Sequence, residues 1–290
     1  MGRPLLRTLK GVKTWKVTGT AFSRPGDNLV KVDLANLKNL PGFLDSIKPD
    51  VIVHSAAERR PDVSQRDPEG TRRLNVEATA AIAAWASAND AFMIYISTDY
   101  VFDGTTPPYS TDSPPNPINS YGESKRQGEI AVLSTCLENA ILRVPILYGN
   151  VERLDESPVT SIAGNMLDAS GSECIKVENW AIRYPTLTDD VAYVIREMLL
   201  HKEKHPSFKG IFHWSGNEAM TKYDMAKIFA DYLNFDEARL TPVNSAPTGA
   251  PRPKNSQLDS SRLRSIGIER YTPFKDAIPI ILKDVLKSRV

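Results

Sequence analysis

The sequence predicts an α/β protein: a doubly wound parallel sheet of the Rossmann type with a smaller C-terminal α/β lobe. Short apolar runs alternate with longer helical patterns through the first half of the chain, which is the signature of parallel strands joined by crossover helices. Beyond Gly149 that rhythm gives way to scattered helices and short strands. A length of 290 residues, 41% of them hydrophobic and 24% charged, is enough for one large α/β unit with an appended lobe around a sizeable core.

The first element is a helix. Pro4 stands where a first turn tolerates it, Leu5, Leu6 and Leu9 form one apolar face, and Gly11 follows as a C-cap would. Strands are expected at Lys16–Ala21, Leu29–Val32, Val51–His54, Phe92–Ile96 and Ala140–Val144, with helices at about 35–47, 67–89 and 119–137 between them. In the second half, Thr221-Lys-Tyr-Asp224 reads as a capping box and the proline-rich stretch 242–253 as extended chain. There is no internal repeat and no low-complexity tract.

Composition excludes several function classes. Lys plus Arg at 36 against Asp plus Glu at 35 leave a net charge of +1, so no global field attracts nucleic acid or an anionic membrane. No run approaches the ~18 apolar residues of a membrane span, and the first twenty residues lack the apolar block of a signal peptide. Arg3, Arg7, Lys10, Lys13, Lys16 and Arg24 precede the first acid, Asp27, as in an organelle transit peptide, but the amphipathic pattern favours a folded helix. Cys136 and Cys174 show no CxxC spacing, which suits two packed thiols in a reducing cytosol. His201 and His205 have helical i,i+4 spacing but lack the acid placement of HExxH and a third ligand, so no metal site is expected.

The chemistry-bearing residues gather at predicted strand ends. Thr98 closes the apolar strand Phe92–Ile96, and Tyr121-Gly-Glu-Ser-Lys125 opens a helix twenty-three residues later. Tyr and Lys at i and i+4 share a helical face. The ammonium can then lower the phenol's pKa while the phenol passes a proton to a carbonyl oriented by the Thr hydroxyl. YxxxK alone is weak, since Tyr223-Asp-Met-Ala-Lys227 also fits it, but that pair has no Ser-Thr strand end at comparable spacing upstream and reads as an ordinary helix face. Arg24 follows the Lys16–Ala21 strand, where an acid would bind the ribose 2′-hydroxyl of NAD and an Arg accommodates the 2′-phosphate of NADP. Asp33 and Leu34, after the next strand, stand where the adenine lies. Ser55 to Asp62 spills onto the ligand edge of the sheet, and Arg59 and Arg60 there could hold an anion. Glu58, Asp62, Asp67 and Glu69, interleaved with Arg66, Arg72 and Arg73, argue for a salt-bridged surface and against a nucleic-acid patch.

Ser97-Thr-Asp-Tyr-Val-Phe-Asp-Gly104, Tyr121-Gly-Glu-Ser-Lys125, Leu142-Arg-Val-Pro145 and Arg252-Pro-Lys-Asn-Ser-Gln-Leu-Asp259 resemble the extended short-chain dehydrogenase/reductases close to dTDP-4-dehydrorhamnose reductase. Val51 to Asp62, Pro145-Ile-Leu-Tyr-Gly149 and His213 to Tyr223 are more similar to the regulatory β subunits of methionine adenosyltransferase within that superfamily. The resemblance runs from Gly2 to about residue 280. It implies a reductase fold that binds NADP, pairs with the catalytic α subunit of methionine adenosyltransferase and tunes S-adenosylmethionine synthesis in the cytoplasm or nucleus. It also implies an NADP-binding domain over residues 1–149 and a substrate or partner lobe over 150–290, with segments interleaved. The contacts it implies are Phe22, Ser23 and Arg24 at the 2′-phosphate, Asp33 and Leu34 near the adenine, then Ser55 and Arg59, Tyr121 and Lys125 at the ribose and nicotinamide, and Leu147. Thr98, Tyr121 and Lys125 take the reductase triad positions. The alternatives are an NADPH-dependent nucleotide-sugar reductase and a fragment that binds no dinucleotide.

Two departures from the family pattern matter. The family opens on an apolar strand and a GxxGxxG turn whose last glycine corresponds to Gly2, so that strand and most of the turn stand outside this sequence. The glycine count of 16, slightly below the ~7% average, agrees. The expectation is an N-terminal truncation, with a start assigned downstream at a Met inside the turn and NADP binding weakened or lost. In the 3-2-1-4-5-6 strand order the absent strand is central, so the sheet should split unless its flanking strands close together. The family's C-terminal tail, implied to reach the partner, carries bulky residues. Here Ile280 to Val290 reads as an amphipathic helix with no aromatic after Phe274, packed on its own lobe.

Overall fold

A computed structural model describes residues 1–24, 26 and 29–287. The chain runs α1 (Gly2–Lys10), β1 (Gly19–Ala21), β2 (Leu29–Lys31), α2 (Leu40–Ile47), β3 (Val51–His54), α3 (Pro61–Arg66), α4 (Pro68–Arg72), α5 (Ala78–Ala88), β4 (Phe92–Thr98), α6 (Ser120–Thr135), β5 (Ala140–Val144) and β6 (Leu147–Tyr148). It continues α7 (Thr160–Asp168), β7 (Ile175–Glu178), β8 (Thr186–Leu187), α8 (Thr188–Lys204), β9 (Gly210–His213), α9 (Lys222–Leu233), β10 (Leu240–Val243), α10 (Ser261–Arg264) and α11 (Phe274–Lys287). Residues 288–290 of the expected tail helix lie outside the described residues. Among the described residues no helix is long and apolar enough to cross a membrane.

The central sheet has the order β3-β4-β5-β9, all parallel. Alternation along β4 explains its two buried faces: Ile94 and Ile96 pack with Leu5 and Leu9 of α1 and with Val191, Ile195 and Met198 of α8. Met93 and Tyr95 point the other way, onto Leu44, Ile82, Trp85 and Val132 of α2, α5 and α6. α8 and β9 therefore return from beyond residue 150 to complete the sheet. A third core joins β6, β7, α7, α9 and α11, with Phe229 and Phe274 edge to face. α11 buries Phe274, Ile278, Ile281 and Leu282 in it, so the amphipathic tail packs on its own lobe as its pattern suggests. The capping box at Thr221 and Asp224 is also formed.

Several expected elements are altered, each for a local reason. Among the described residues β1 and β2 pair in parallel only with each other, and β3 is the edge of the four-stranded sheet. The sheet is thus split, and the flanking strands have not closed together. With no further neighbour β1 extends over three residues instead of the six expected. The helix expected from about 35 begins only at Leu40, because Asp33 accepts the Ala35 N–H at 3.0 Å and turns the chain. Between α4 and α5 one π-helical turn, Arg73–Glu77, carries the buried Asn75. Gly11 follows α1 in right-handed geometry, so its freedom at positive φ is not used.

One buried ion pair ties the sheet to α6. Arg143 on β5 donates two hydrogen bonds to Glu129 on α6, at 2.8 and 2.7 Å, both side chains being almost fully buried, and its third nitrogen lies 3.3 Å from His213 on β9. Removing one partner leaves an uncompensated buried charge. Arg143→Met should therefore cost about 3–5 kcal/mol, and Glu129→Met/Arg143→Met together should recover much of that loss, as read from urea unfolding midpoints.

Candidate functional site

The parallel strands aim their C-terminal ends at one edge, and the candidate site is assembled there. Thr98 is the last residue of β4, and its hydroxyl accepts the Tyr100 N–H at 3.2 Å. α6 begins beside it under an Asn119 cap whose side-chain oxygen accepts the Gly122 N–H at 2.8 Å, while its amide donates to the Pro251 carbonyl. A Cβ at Gly122 would lie 2.1 Å from the Tyr100 carbonyl oxygen, and one at Gly128 would lie 2.3 Å from the Tyr95 hydroxyl. These glycines let the helix lie directly on the strand end.

That approach brings the Tyr121 phenol within hydrogen-bonding reach of the Thr98 hydroxyl. Lys125 is buried, and its ammonium sits 3.9 Å from the centre of the Tyr95 ring. Burial pushes Lys125 down to about 7, opposed by the charge of Glu129. The expected depression of the Tyr121 pKa by Lys125 is not found: burial drives the phenol above its ordinary range, against the Thr98 hydrogen bond, and the ammonium faces Tyr95 instead. Asp99, next along the chain, is raised by burial to about 6 although Ser256 and Thr98 both donate to its carboxylate, at 2.6 and 3.1 Å.

A cavity of about 1590 Å³ runs along this edge and continues between β1 and β3. Gly2, Phe22, Ser23, Arg24, Leu34, Ser55, Arg59, Thr98, Tyr121, Lys125 and Leu147 all line it. Asp33 does not, its carboxylate being turned to the Ala35 N–H. At one end Arg24 pairs with Glu152 at 2.7 Å and with Glu156, and Arg59 donates to the Glu156 carbonyl oxygen. At the other end Arg183, Lys222 and Arg252 line the wall, and burial with Arg183 nearby lowers Lys222 to about 8. The arginine-rich stretch after β3 forms the expected salt-bridged surface: Arg60 with Glu58, Arg72 with Glu69 and Glu77, and Arg66 onto the Asp62 carbonyl. Lys227 lies over Tyr223 and pairs with Asp224 on an ordinary helix face.

The donor chemistry fits an adenine dinucleotide: Arg24 and Arg59 stand at one end for phosphate, apolar Leu34 and Leu147 line the wall, and the Tyr121 phenol and Thr98 hydroxyl lie toward the end that Arg183, Lys222 and Arg252 line. Five contributors are missing from the residues expected from the sequence. Glu129, at i+8 from Tyr121, completes the Tyr121–Lys125 face, a periodicity visible in the sequence. Glu152 and Glu156 come into play only through tertiary approach to Arg24. Asp99 and Ser256 both lie in motifs already singled out, yet nothing in the sequence joins them.

A parallel sheet with a dinucleotide-type groove at its C-terminal edge defines the reductase-fold class. The model of the RmlD substrate binding domain matches residues 1–287. Methionine adenosyltransferase 2 subunit beta of Bos taurus is 46% identical over 265 residues, covering 91% of this chain and 79% of that protein. Among solved structures, a hypothetical dTDP-4-dehydrorhamnose reductase from Sulfolobus tokodaii superposes with a TM-score of 0.81 at 27% identity over 94% of each chain. The dTDP-4-dehydrorhamnose reductase of Bacillus anthracis, solved in complex with NADP, superposes with a TM-score of 0.75 at 26% identity over 88% of each. The chain belongs to the RmlD substrate binding domain family and, within it, to the family of methionine adenosyltransferase 2 β subunits.

Lys125 makes the site's electrostatics measurable. Below pH 7 both folded and unfolded chains carry its proton and the burial penalty is fully present. From about 7 up to the ordinary 10.5 the unfolded chain binds more protons, so stability rises with pH. Lys125→Met should abolish that rise and stabilise the fold at pH 6 by on the order of 3 kcal/mol, as measured by urea titrations at pH 6, 8 and 10.

Proposed function

We propose that this chain is a non-catalytic regulatory subunit of methionine adenosyltransferase, which binds the catalytic subunit and modulates S-adenosylmethionine synthesis in the cytoplasm. The observation that carries this reading is the 46% identity to a methionine adenosyltransferase 2 β subunit over 91% of the chain, against 30% to a dTDP-4-dehydrorhamnose reductase over 80% of it. The geometry supports it: the Lys125 ammonium lies against the Tyr95 ring and is not turned to the Tyr121 phenol. In this reading residues 1–149 form the NADP-binding part and 150–290 the smaller lobe, with segments interleaved, since α8 and β9 pack with the sheet of the first part.

Arg24, with Phe22 and Ser23, holds the 2′-phosphate, and Leu34 bounds the adenine. Ser55, Arg59, Tyr121, Lys125 and Leu147 line the path to the nicotinamide end, with Gly2 at the pyrophosphate side. In a reductase, bound NADPH would supply a hydride. For the second reading, a nucleotide-sugar reductase, the chain's own part is proton donation from Tyr121 with Thr98 orienting the carbonyl, and the Thr98–Tyr121 proximity is the observation in its favour.

Mixed with a catalytic methionine adenosyltransferase, the chain should co-elute in size-exclusion chromatography and change the rate of S-adenosylmethionine formation. If it instead elutes alone and oxidises NADPH with a dTDP-4-keto-6-deoxysugar, and Tyr121→Phe abolishes that oxidation, the reductase reading replaces this one. Arg24→Ala should weaken NADP about tenfold while changing NAD little, by calorimetry, as expected for loss of a charge-assisted phosphate contact of about 1.4 kcal/mol.

A further inference from the structure

We propose that Glu152 and Glu156 act as an internal anion that competes with a 2′-phosphate for Arg24, and that this carboxylate pair sets the preference of the groove between NADP and NAD. The inference rests on the dinucleotide reading of the groove and adds to it two residues outside the expected contacts.

Two carboxylates stand where a phosphate would be received. Arg24 pairs with Glu152 at 2.7 Å and with the Glu156 carboxylate, and Arg3 of α1 pairs with the same two, at 2.8 and 3.2 Å. Arg153, the nearest further cation in sequence, is engaged chiefly by Asp155, with smaller charge interactions with Glu156 and Arg24. Partial burial opposes ionisation of Glu156, but the hydrogen bonds and charges of Arg24 and Arg3 outweigh it and hold the carboxyl below its ordinary range. Glu156 is therefore anionic at neutral pH.

A phosphate dianion reaching Arg24 meets this pair first. It must either displace the carboxylates or share the guanidinium with them at close like-charge distance, which costs affinity. A ribose 2′-hydroxyl carries no such charge and can donate to a carboxylate, the arrangement by which NAD is held in dinucleotide folds. The penalty is thus specific to NADP. Glu152 and Arg24 side chains are 57% and 56% exposed, so the competition is screened by solvent and salt and its size is modest. Arg59 is held through the Glu156 main-chain carbonyl and not its carboxylate, so neutralising the side chain leaves that contact in place.

The test is calorimetric titration of NADP and NAD into the wild-type chain, Glu152→Gln, Glu156→Gln and the double variant at low salt. Expected is NADP binding tightened about three- to tenfold in the double variant, NAD changed by less than about twofold, and a gain that shrinks in 0.5 M salt. Since both acids also pair with Arg3 of α1, a urea midpoint is taken for each variant, and Glu152→Gln, the more exposed of the two, should shift NADP in the same direction with its midpoint unchanged. Parallel shifts of NADP and NAD, or no shift in either, overturn the inference while leaving the dinucleotide reading intact. Failure of all four proteins to bind either nucleotide overturns both.

Discussion

The bidentate pair of Glu129 with Arg143 governs the register between α6 and the sheet, and through it the geometry of the groove. Tyr121, Lys125 and Glu129 lie at i, i+4 and i+8, hence on one helical face. Anchoring the last of them to β5 turns the first two toward the end of β4. Two charges buried in an apolar layer are tolerable only in this close, fully hydrogen-bonded arrangement, so small rotations of α6 are penalised. Gly122 and Gly128 then decide how near the helix comes, because a side chain at either would collide with Tyr100 or Tyr95.

Electrostatics divides the groove into two regions. Near Thr98 the control is burial: Lys125 is pushed down to about 7 and Asp99 up to about 6 because each loses water faster than it gains partners. Near Arg24 the control is pairing between half-exposed ions, which solvent weakens.

Much of the fold is legible in the sequence. β3, β5 and the helix over 120–135 fall where their apolar periodicity puts them, and the Thr221 capping box is present. Legibility failed where a local hydrogen bond or an absent neighbour overruled periodicity: Asp33 delays α2 by several residues, and β1 is short because it has a single partner. In the site, the Thr98, Tyr121 and Lys125 spacing was readable and the three do converge on one cavity wall. The direction of the Lys125 ammonium was not, because spacing fixes a face of a helix and says nothing of which ring or charge meets the side chain's end.

Residue order alone therefore decided which elements form and which helical face carries the chemistry, since both follow from periods of two and 3.6 residues along a single chain. The three-dimensional packing decided everything that depends on distant segments meeting: the return of α8 and β9 to the sheet, the separation of β1–β2 from β3, the Asp99–Ser256 bond, and the neutralisation of Arg24 by Glu152 and Glu156. Charge and burial at a point in space are sums over neighbours more than a hundred residues away in sequence, and no local pattern encodes that sum.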